Sequence, residues 1–271
     1  MTAPNISNPT HPAAAMNQVR LPRTAALGPG LGGQPRLLID APAGAAEIYL
    51  HGATLTSWVP RGGSEVIFTS RQAVFDGSTA IRGGIPLCLP EFGVGINGDA
   101  VPKHGWARIA PWQLRMVAST DDGGVRALLS VSRDHLTALY EVEIGETLRL
   151  GLSLRNDGNA PRTVEAAAHT YLSVHDVTAS LISGLAGASY SDNLAHSPRE
   201  AHRVQDGDVK ISGPVDRIYD SAEPVAVTDP GHERTIHVDK RNAPSTIVWN
   251  PWSTYSAPLP DMADDEFPTM V

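Results

Sequence analysis

The chain of 271 residues has a single cysteine, Cys88, and no long apolar run. One cysteine excludes an intrachain disulfide bond and is typical of proteins that stay in a reducing compartment. A membrane-spanning helix needs roughly 18 to 20 consecutive apolar residues. Pro4, Pro9 and Pro12 also interrupt the stretch where a secretory signal would lie. The sequence therefore predicts a cytoplasmic protein with no membrane partner.

Positive charge is scarce as well. The chain carries 21 Lys and Arg residues against 29 Asp and Glu residues, which gives a formal net charge of −8. Because proteins bind nucleic acid with a basic surface, this balance argues against a nucleic-acid partner. It does not exclude a local basic pocket for one phosphate group.

The N-terminal segment lacks acidic residues, and the first carboxylate of the chain is Asp40. Residues 1–33 are rich in Pro, Ala, Gly and Asn and have little apolar periodicity. Such a composition predicts a disordered leader, with a transit peptide as the alternative. Met16 could also be the true start. Residues 34–271 are then the folded part.

Amphipathic helical patterns are nearly absent after residue 36, where short alternating runs are separated by turns rich in Gly and Pro. In one run, four leucines fall on the same face of a strand, whereas a helix would scatter them: Leu148, Leu150, Leu152 and Leu154. Many short strands with frequent turns predict an all-β fold, a sandwich or a barrel. With no internal repeat and no linker after the leader, we expect a single domain and a monomer.

A glycine-rich loop follows Arg82 in the segment Arg82-Gly83-Gly84-Ile85-Pro86. Two glycines would let the backbone approach a ligand while the guanidinium offers its planar fork of donors to oxygen atoms. The alternative is a β-turn with a surface arginine. A second loop places His104 and Arg108 on either side of Gly105 and Trp106, an arrangement suited to a polyol and its phosphate or simply to solvent.

His169 follows three alanines in an apolar segment, which suggests a half-buried imidazole. With an unperturbed pKa near 6.5, such a group can act as a general acid near neutral pH, and a hydrogen-bonded core histidine is the alternative. The spacing of His169 and His175 is not one that metal sites use, so we expect no metal. Asp216 could accept hydrogen bonds from sugar hydroxyls or pair with Arg217. Trp249 and Trp252 could provide a platform for a sugar or pack in the core.

In their order along the chain, these segments resemble the hexose-6-phosphate mutarotases (glucose-6-phosphate 1-epimerases) of the aldose 1-epimerase superfamily. The resemblance covers residues 36–271 and rests on residues 51–54, 80–93, 103–108, 169–176, 184–192, 216–219 and 248–265. It implies a galactose-mutarotase-like β-sandwich, also called a supersandwich. It also implies the interconversion of α and β anomers of a hexose 6-phosphate, without a cofactor.

The resemblance also implies roles for individual residues. His169 would be the general acid that protonates the ring oxygen of the sugar. Four residues would bind the substrate: Arg82, His104, Arg108 and Asp216. Of these, Arg82 and Arg108 are expected at the phosphate end, which is an extrapolation from their charge.

Three departures from the family pattern affect this assignment. The family's general base is a glutamate in a Cys-Val-Glu sequence that follows a Met-Val pair, whereas this sequence ends at Met270-Val271. We therefore expect the base and the final strands to be missing from this chain, and the nearby acids Asp264, Asp265 and Glu266 to form a solvated turn. The segment at Arg133–Leu136 is shorter than the family's sugar-pocket rim.

The third departure is Glu91, which could disfavour phosphorylated sugars or pair with Arg82 or Arg108. These departures leave two other functions open. One is a catalytically inactive carbohydrate-binding or regulatory protein. The other is a mutarotase for unphosphorylated aldoses.

Overall fold

The structure is a computed structural model that describes residues 19–197 and 201–271. It divides into two compact units. Unit 1 contains the described residues up to Ser64, with Phe75–Ala80 and Leu87–Ala168, and unit 2 contains Glu65–Val74, Ile81–Pro86 and His169–Val271. The chain passes between the units after residues 64, 74, 80, 86 and 168, so neither unit is one continuous segment. The single domain stays a prediction.

Unit 1 contains two four-stranded antiparallel sheets and a two-stranded ribbon. The first sheet has the order β1 (Ala25–Pro29), β2 (Pro35–Ala41), β3 (Gly44–Tyr49) and β4 (Thr54–Pro60). The second has the order β6 (Gln113–Ser119), β7 (Val125–Arg133), β8 (Leu136–Ile144) and β9 (Leu148–Asn156). The ribbon joins β5 (Leu87–Cys88) to β10 (Ala167–Ala168).

The strands of unit 1 follow the period of two that the sequence indicates. Along β8, every second side chain is buried, from Leu136 through Tyr140 to Ile144, and those between are exposed or half-buried. This alternation is expected where one sheet face meets a core and the other meets water. In β9 the four leucines are half-buried and the residues between them are exposed, which confirms their predicted common face.

Unit 2 contains a three-stranded and a four-stranded antiparallel sheet. The first has the order β11 (Leu181–Ser183), β15 (Val225–Asp229) and β16 (Arg234–Val238). The second has the order β13 (His202–Val204), β12 (Ser189–Asp192), β14 (Val215–Tyr219) and β17 (Thr246–Asn250). A core of valines, isoleucines and tyrosines, among them Tyr190 and Tyr219, is buried in this unit.

The all-β prediction is confirmed. Within the described ranges, the α-helical content is the five-residue helix α1 (Trp252–Ser256), which follows β17. In that same part of the chain, no helix has the length and apolar character that a membrane crossing requires.

The prediction of a disordered leader is wrong for residues 19–33. β1 pairs with β2 along its whole length, and the Leu31 backbone N–H donates to the Tyr49 hydroxyl at 2.9 Å. These contacts order a segment that has little apolar content of its own. The prolines and glycines are tolerated because β1 is an edge strand, where a missing donor need not break a ladder. Residues 1–18 lie outside the described residues.

Two fully buried tyrosines make a matched pair for a stability test. The Tyr140 hydroxyl has no hydrogen-bond partner among the described residues, and burial raises the pKa of this phenol above its usual range. The Tyr219 hydroxyl donates to Gln205 Oε1 at 2.8 Å. Both side chains are at most 1% exposed. We expect Tyr140→Phe to leave the free energy of unfolding unchanged or to raise it by up to about 1 kcal/mol.

Tyr219→Phe leaves the Gln205 oxygen without this donor and should lower the free energy of unfolding by about 1 to 3 kcal/mol. Urea unfolding of both variants, followed by circular dichroism, measures the difference. Equal losses in the two variants would contradict the assignment of an unsatisfied hydroxyl to Tyr140.

Candidate functional site

The Arg82–Pro86 loop lies along the segment that begins with His169. The His169 backbone N–H donates to Pro86 O, and the Tyr171 N–H donates to Gly84 O, each at 3.0 Å. Residues 83 to 86 are buried, so the loop is an ordered part of unit 2 and not a surface turn. The backbone therefore places the loop of Arg82 beside His169, two features that are far apart in the sequence.

The first glycine of this loop lies against a neighbouring segment of the protein. Gly83 has a φ of +102°, and a Cβ added there would lie 2.5 Å from Thr69 Cα and 2.6 Å from Phe68 O. The Gly84 N–H donates to the same Phe68 carbonyl at 2.7 Å. Gly83 thus allows a close approach to a neighbouring protein segment, and this approach and the Gly84 hydrogen bond fix the backbone next to Arg82.

The guanidinium of Arg82 is held at two of its nitrogen atoms. Nε donates to Asp261 Oδ1 at 3.1 Å, and Nη1 donates to the Tyr171 hydroxyl at 3.2 Å. Burial disfavours the charge, but Tyr171 and Asp261 more than offset it, so the pKa of Arg82 is raised above its ordinary value. The carboxylate that pairs with Arg82 is therefore Asp261 and not Glu91.

Sequence reasoning missed Asp261. This residue lies 179 positions after Arg82, so no local spacing connects the two. The one signal is its context, since Met262 and Ala263 follow it and an acid beside apolar residues is a candidate for a buried, paired carboxylate. The side chain of Asp261 is 10% exposed.

His169 lies among aromatic rings. Its imidazole stacks on the Tyr171 ring, with centroids 4.7 Å apart and planes at 20°. Trp249 meets both rings edge-on, with centroids 5.7 Å from His169 and 5.6 Å from Tyr171. Trp252, by contrast, packs against Phe267 at 5.1 Å. Of the two tryptophans, Trp249 is the one beside the predicted acid.

Asp216 lies on β14 directly opposite Trp249 on β17. Residues opposite each other in antiparallel strands point to the same face, so the carboxylate shares a sheet face with Trp249. The Asn193 amide donates to Asp216 Oδ1 at 2.9 Å. Successive strand residues point to opposite faces, and Nε of the neighbouring Arg217 lies 3.7 Å from Asp192 Oδ2.

His104 and Arg108 lie together on one loop of unit 1. The Gly93 N–H donates to His104 Nδ1 at 3.1 Å, so Nδ1 is an acceptor and the neutral ring carries its proton on Nε2. The Phe92 ring meets the imidazole edge-on at 5.1 Å. Arg108 Nη2 donates to Lys103 O at 2.9 Å, which ties the ends of the loop together. The predicted site residues thus fall into two groups, one in each unit.

The prediction of a solvated acidic turn is wrong for Glu266, which is 6% exposed, although Asp264 and Asp265 are exposed. The Glu266 carboxylate accepts hydrogen bonds from the Ser70 hydroxyl at 2.7 Å and from the backbone N–H groups of Arg71 and Ala263, each at 2.9 Å. Three donors compensate the carboxylate for the water that it loses on burial.

Metal ligands do not gather anywhere in the described part of the chain. Across residues 19–197 and 201–271, no three His, Cys, Asp or Glu side chains come together in a way that could hold an ion.

Most of the chain aligns with a known protein family and with individual relatives. The family model for aldose 1-epimerase matches residues 35–271. A "Putative glucose-6-phosphate 1-epimerase" of Cenchrus ciliaris is 32% identical over 244 residues, which cover 83% of this chain and 73% of that protein. A protein of the same name from Escherichia coli is 30% identical over 245 residues, which cover 87% of this chain and 80% of that protein.

Solved structures of mutarotase-like proteins also resemble this chain. The crystal structure of a "putative mutarotase" from Salmonella typhimurium has a TM-score of 0.83 at 28% identity, covering 93% of this chain and 85% of that one. A "galactose mutarotase-like protein" from Clostridium acetobutylicum has a TM-score of 0.64 at 10% identity, covering 91% and 86%, and so shares the fold. The resemblance drawn from the sequence is confirmed, and the chain belongs to the aldose 1-epimerase family of isomerases.

Proposed function

We propose that this protein interconverts the α and β anomers of a hexose 6-phosphate. The main observation that supports the proposal is that Tyr171 connects a proton-transfer group, His169, to a cation, Arg82, in unit 2. The His169 ring stacks on Tyr171, and the hydroxyl of Tyr171 accepts a hydrogen bond from Arg82. The names of the relatives from Cenchrus ciliaris and Escherichia coli support the substrate class.

The reaction requires two proton transfers and no redox step. An acid protonates the ring oxygen while a base removes the proton of the C1 hydroxyl, and the open-chain aldehyde rotates before the ring closes again. We assign the acid to His169. Its contacts with Tyr171 and Trp249 restrict the imidazole plane, which favours a fixed direction of proton transfer.

The remaining groups of unit 2 have binding roles in this proposal. Arg82 contacts the phosphate, because a guanidinium matches the geometry of phosphate oxygens and keeps its charge at any physiological pH. Asp216 accepts hydrogen bonds from sugar hydroxyls while Asn193 orients its carboxylate. Substrate binding by His104 and Arg108 stays a prediction.

We also infer the finer features of the protein from its family. These are a galactose-mutarotase-like β-sandwich, a cytoplasmic location and a monomeric state. Light scattering of the purified chain measures the last of these, and a mass of twice 28.7 kDa would exclude the monomer.

His169→Gln should lower kcat for anomer exchange by about 10²- to 10⁴-fold, because it removes the acid while keeping a side chain of similar size. The matched control is His175→Gln, an exposed histidine six residues further on, which should leave kcat unchanged. Exchange between the α and β anomeric protons, measured by NMR, gives the rate above the uncatalysed background.

This measurement is made on the chain as it stands and on the chain extended by Cys-Val-Glu, the sequence in which the resembled family carries its base. Turnover that is the same in His169→Gln and in the parent would contradict the assignment of the acid. Binding without turnover in both forms would instead favour the inactive sugar-binding protein.

A second prediction concerns the substrate. We expect glucose 6-phosphate to bind more tightly than glucose, by about tenfold or more, because a hydrogen-bonded charge pair contributes about 1.5 to 3 kcal/mol. Titration calorimetry with both sugars measures the ratio of the two Kd values. Equal affinities would favour a mutarotase for unphosphorylated aldoses.

A further inference from the structure

Arg82 is fixed by more than a single ion pair. Of the five N–H donors that a guanidinium carries, one is used on Asp261 and one on the Tyr171 hydroxyl. These two partners bind different nitrogen atoms, so the plane of the guanidinium cannot rotate without breaking one contact. The side chain is 23% exposed, and the three remaining donors keep a fixed direction.

Asp261 is itself held by the segment that holds the Arg82 loop. The N–H of Ser70 donates to the backbone carbonyl of Arg82 at 3.0 Å. The hydroxyl of the same serine donates to Glu266 at 2.7 Å, and the Glu266 carboxylate accepts the Ala263 N–H, two residues after Asp261. Ser70 therefore connects the two loops whose side chains form the ion pair.

The loop of Asp261 is also anchored by packing. Met262 is 1% exposed and Ala263 4% exposed. Met262 packs in a core cluster with Phe68 and Tyr171, the residue that supplies the second contact to Arg82. The carboxylate of Asp261 consequently has little freedom to follow Arg82 if the arginine moves.

We propose that Asp261 and Tyr171 are positioning residues that hold the guanidinium of Arg82 in the orientation that binds a phosphate group. They would thereby set the preference for phosphorylated sugars. The inference rests on the proposed function and names the residues that give its substrate preference. A pre-ordered arginine loses less side-chain entropy when it binds, so its hydrogen bonds contribute more to affinity.

Charge and orientation predict opposite results when Asp261 is replaced by asparagine. If Asp261 only neutralised Arg82, its removal would leave a stronger positive field, and an anionic sugar would bind more tightly. If Asp261 holds the guanidinium in place, the phosphate would bind more weakly despite the added positive charge. The sign of the change in Kd therefore separates the two roles.

The test measures the Kd of glucose 6-phosphate and of glucose by titration calorimetry on the full chain. We expect Asp261→Asn to weaken glucose 6-phosphate binding about tenfold, which is about 1.4 kcal/mol, and to leave glucose binding within about twofold. Asp265→Asn is the matched control with the same change of charge at a side chain that is 72% exposed, and it should change neither Kd.

Tyr171→Phe provides an independent variant. It removes the hydroxyl that accepts from Arg82 and keeps the ring that stacks on His169. We expect a selective loss of glucose 6-phosphate affinity of about threefold to tenfold. If Asp261→Asn does not fold, this variant decides the question. Asp261→Glu should restore part of the selectivity, because it returns a carboxylate that can hold the Arg82 guanidinium in place.

Tighter or unchanged binding of glucose 6-phosphate in both variants would overturn the inference. An equal loss for both sugars, together with a lower Tm, would assign Asp261 and Tyr171 a structural role and also overturn it. Sugar binding by the parent chain and by Arg82→Gln distinguishes a failure of the positioning role from a failure of the proposed function. If the parent shows no preference for glucose 6-phosphate, the proposed function fails as well. If Arg82→Gln abolishes a preference that Asp261→Asn and Tyr171→Phe retain, the positioning role alone fails.

Discussion

The ion pair of Arg82 with Asp261 is the contact on which the candidate site of unit 2 depends. Removing two charges from water costs several kcal/mol for each ion, and the cost is offset only when geometry and further hydrogen bonds compensate both partners. The Tyr171 hydroxyl provides one such bond. Because the Tyr171 ring is also the surface on which His169 stacks, the arrangement that satisfies the arginine also orients the imidazole.

The loop of His104 in unit 1 is organised in another way. Its imidazole accepts the Gly93 backbone N–H, so a main-chain contact makes Nδ1 the accepting nitrogen of the ring. Cys88 lies 3.6 Å from the same nitrogen, and burial raises the pKa of its thiol to about 11, which keeps it protonated. A main-chain N–H and a protonated thiol therefore lie beside Nδ1 of His104, whereas the site of unit 2 contains an ion pair.

The sequence predicts the strands well and the buried acids poorly, for physical reasons. The alternation of apolar and polar residues is a local property of the sequence, so the common leucine face of β9 could be predicted directly. Arg82, His169 and Asp216 could be selected from residue type and order. Asp261 and Glu266 could not, because their burial depends on donors almost 200 positions away. β1 was missed because its order comes from its neighbour in the sheet and not from its own composition.

The large separation between the partners of Arg82 has a consequence during synthesis. Ribosomes add about 5 to 20 residues per second, so the 179 residues between Arg82 and Asp261 take roughly 10 to 35 s to make. During that time the arginine has been translated and its carboxylate has not. A nascent chain can therefore form the first sheet of unit 1 early, but the guanidinium of Arg82 cannot reach its final ion-paired geometry until residue 261 has emerged.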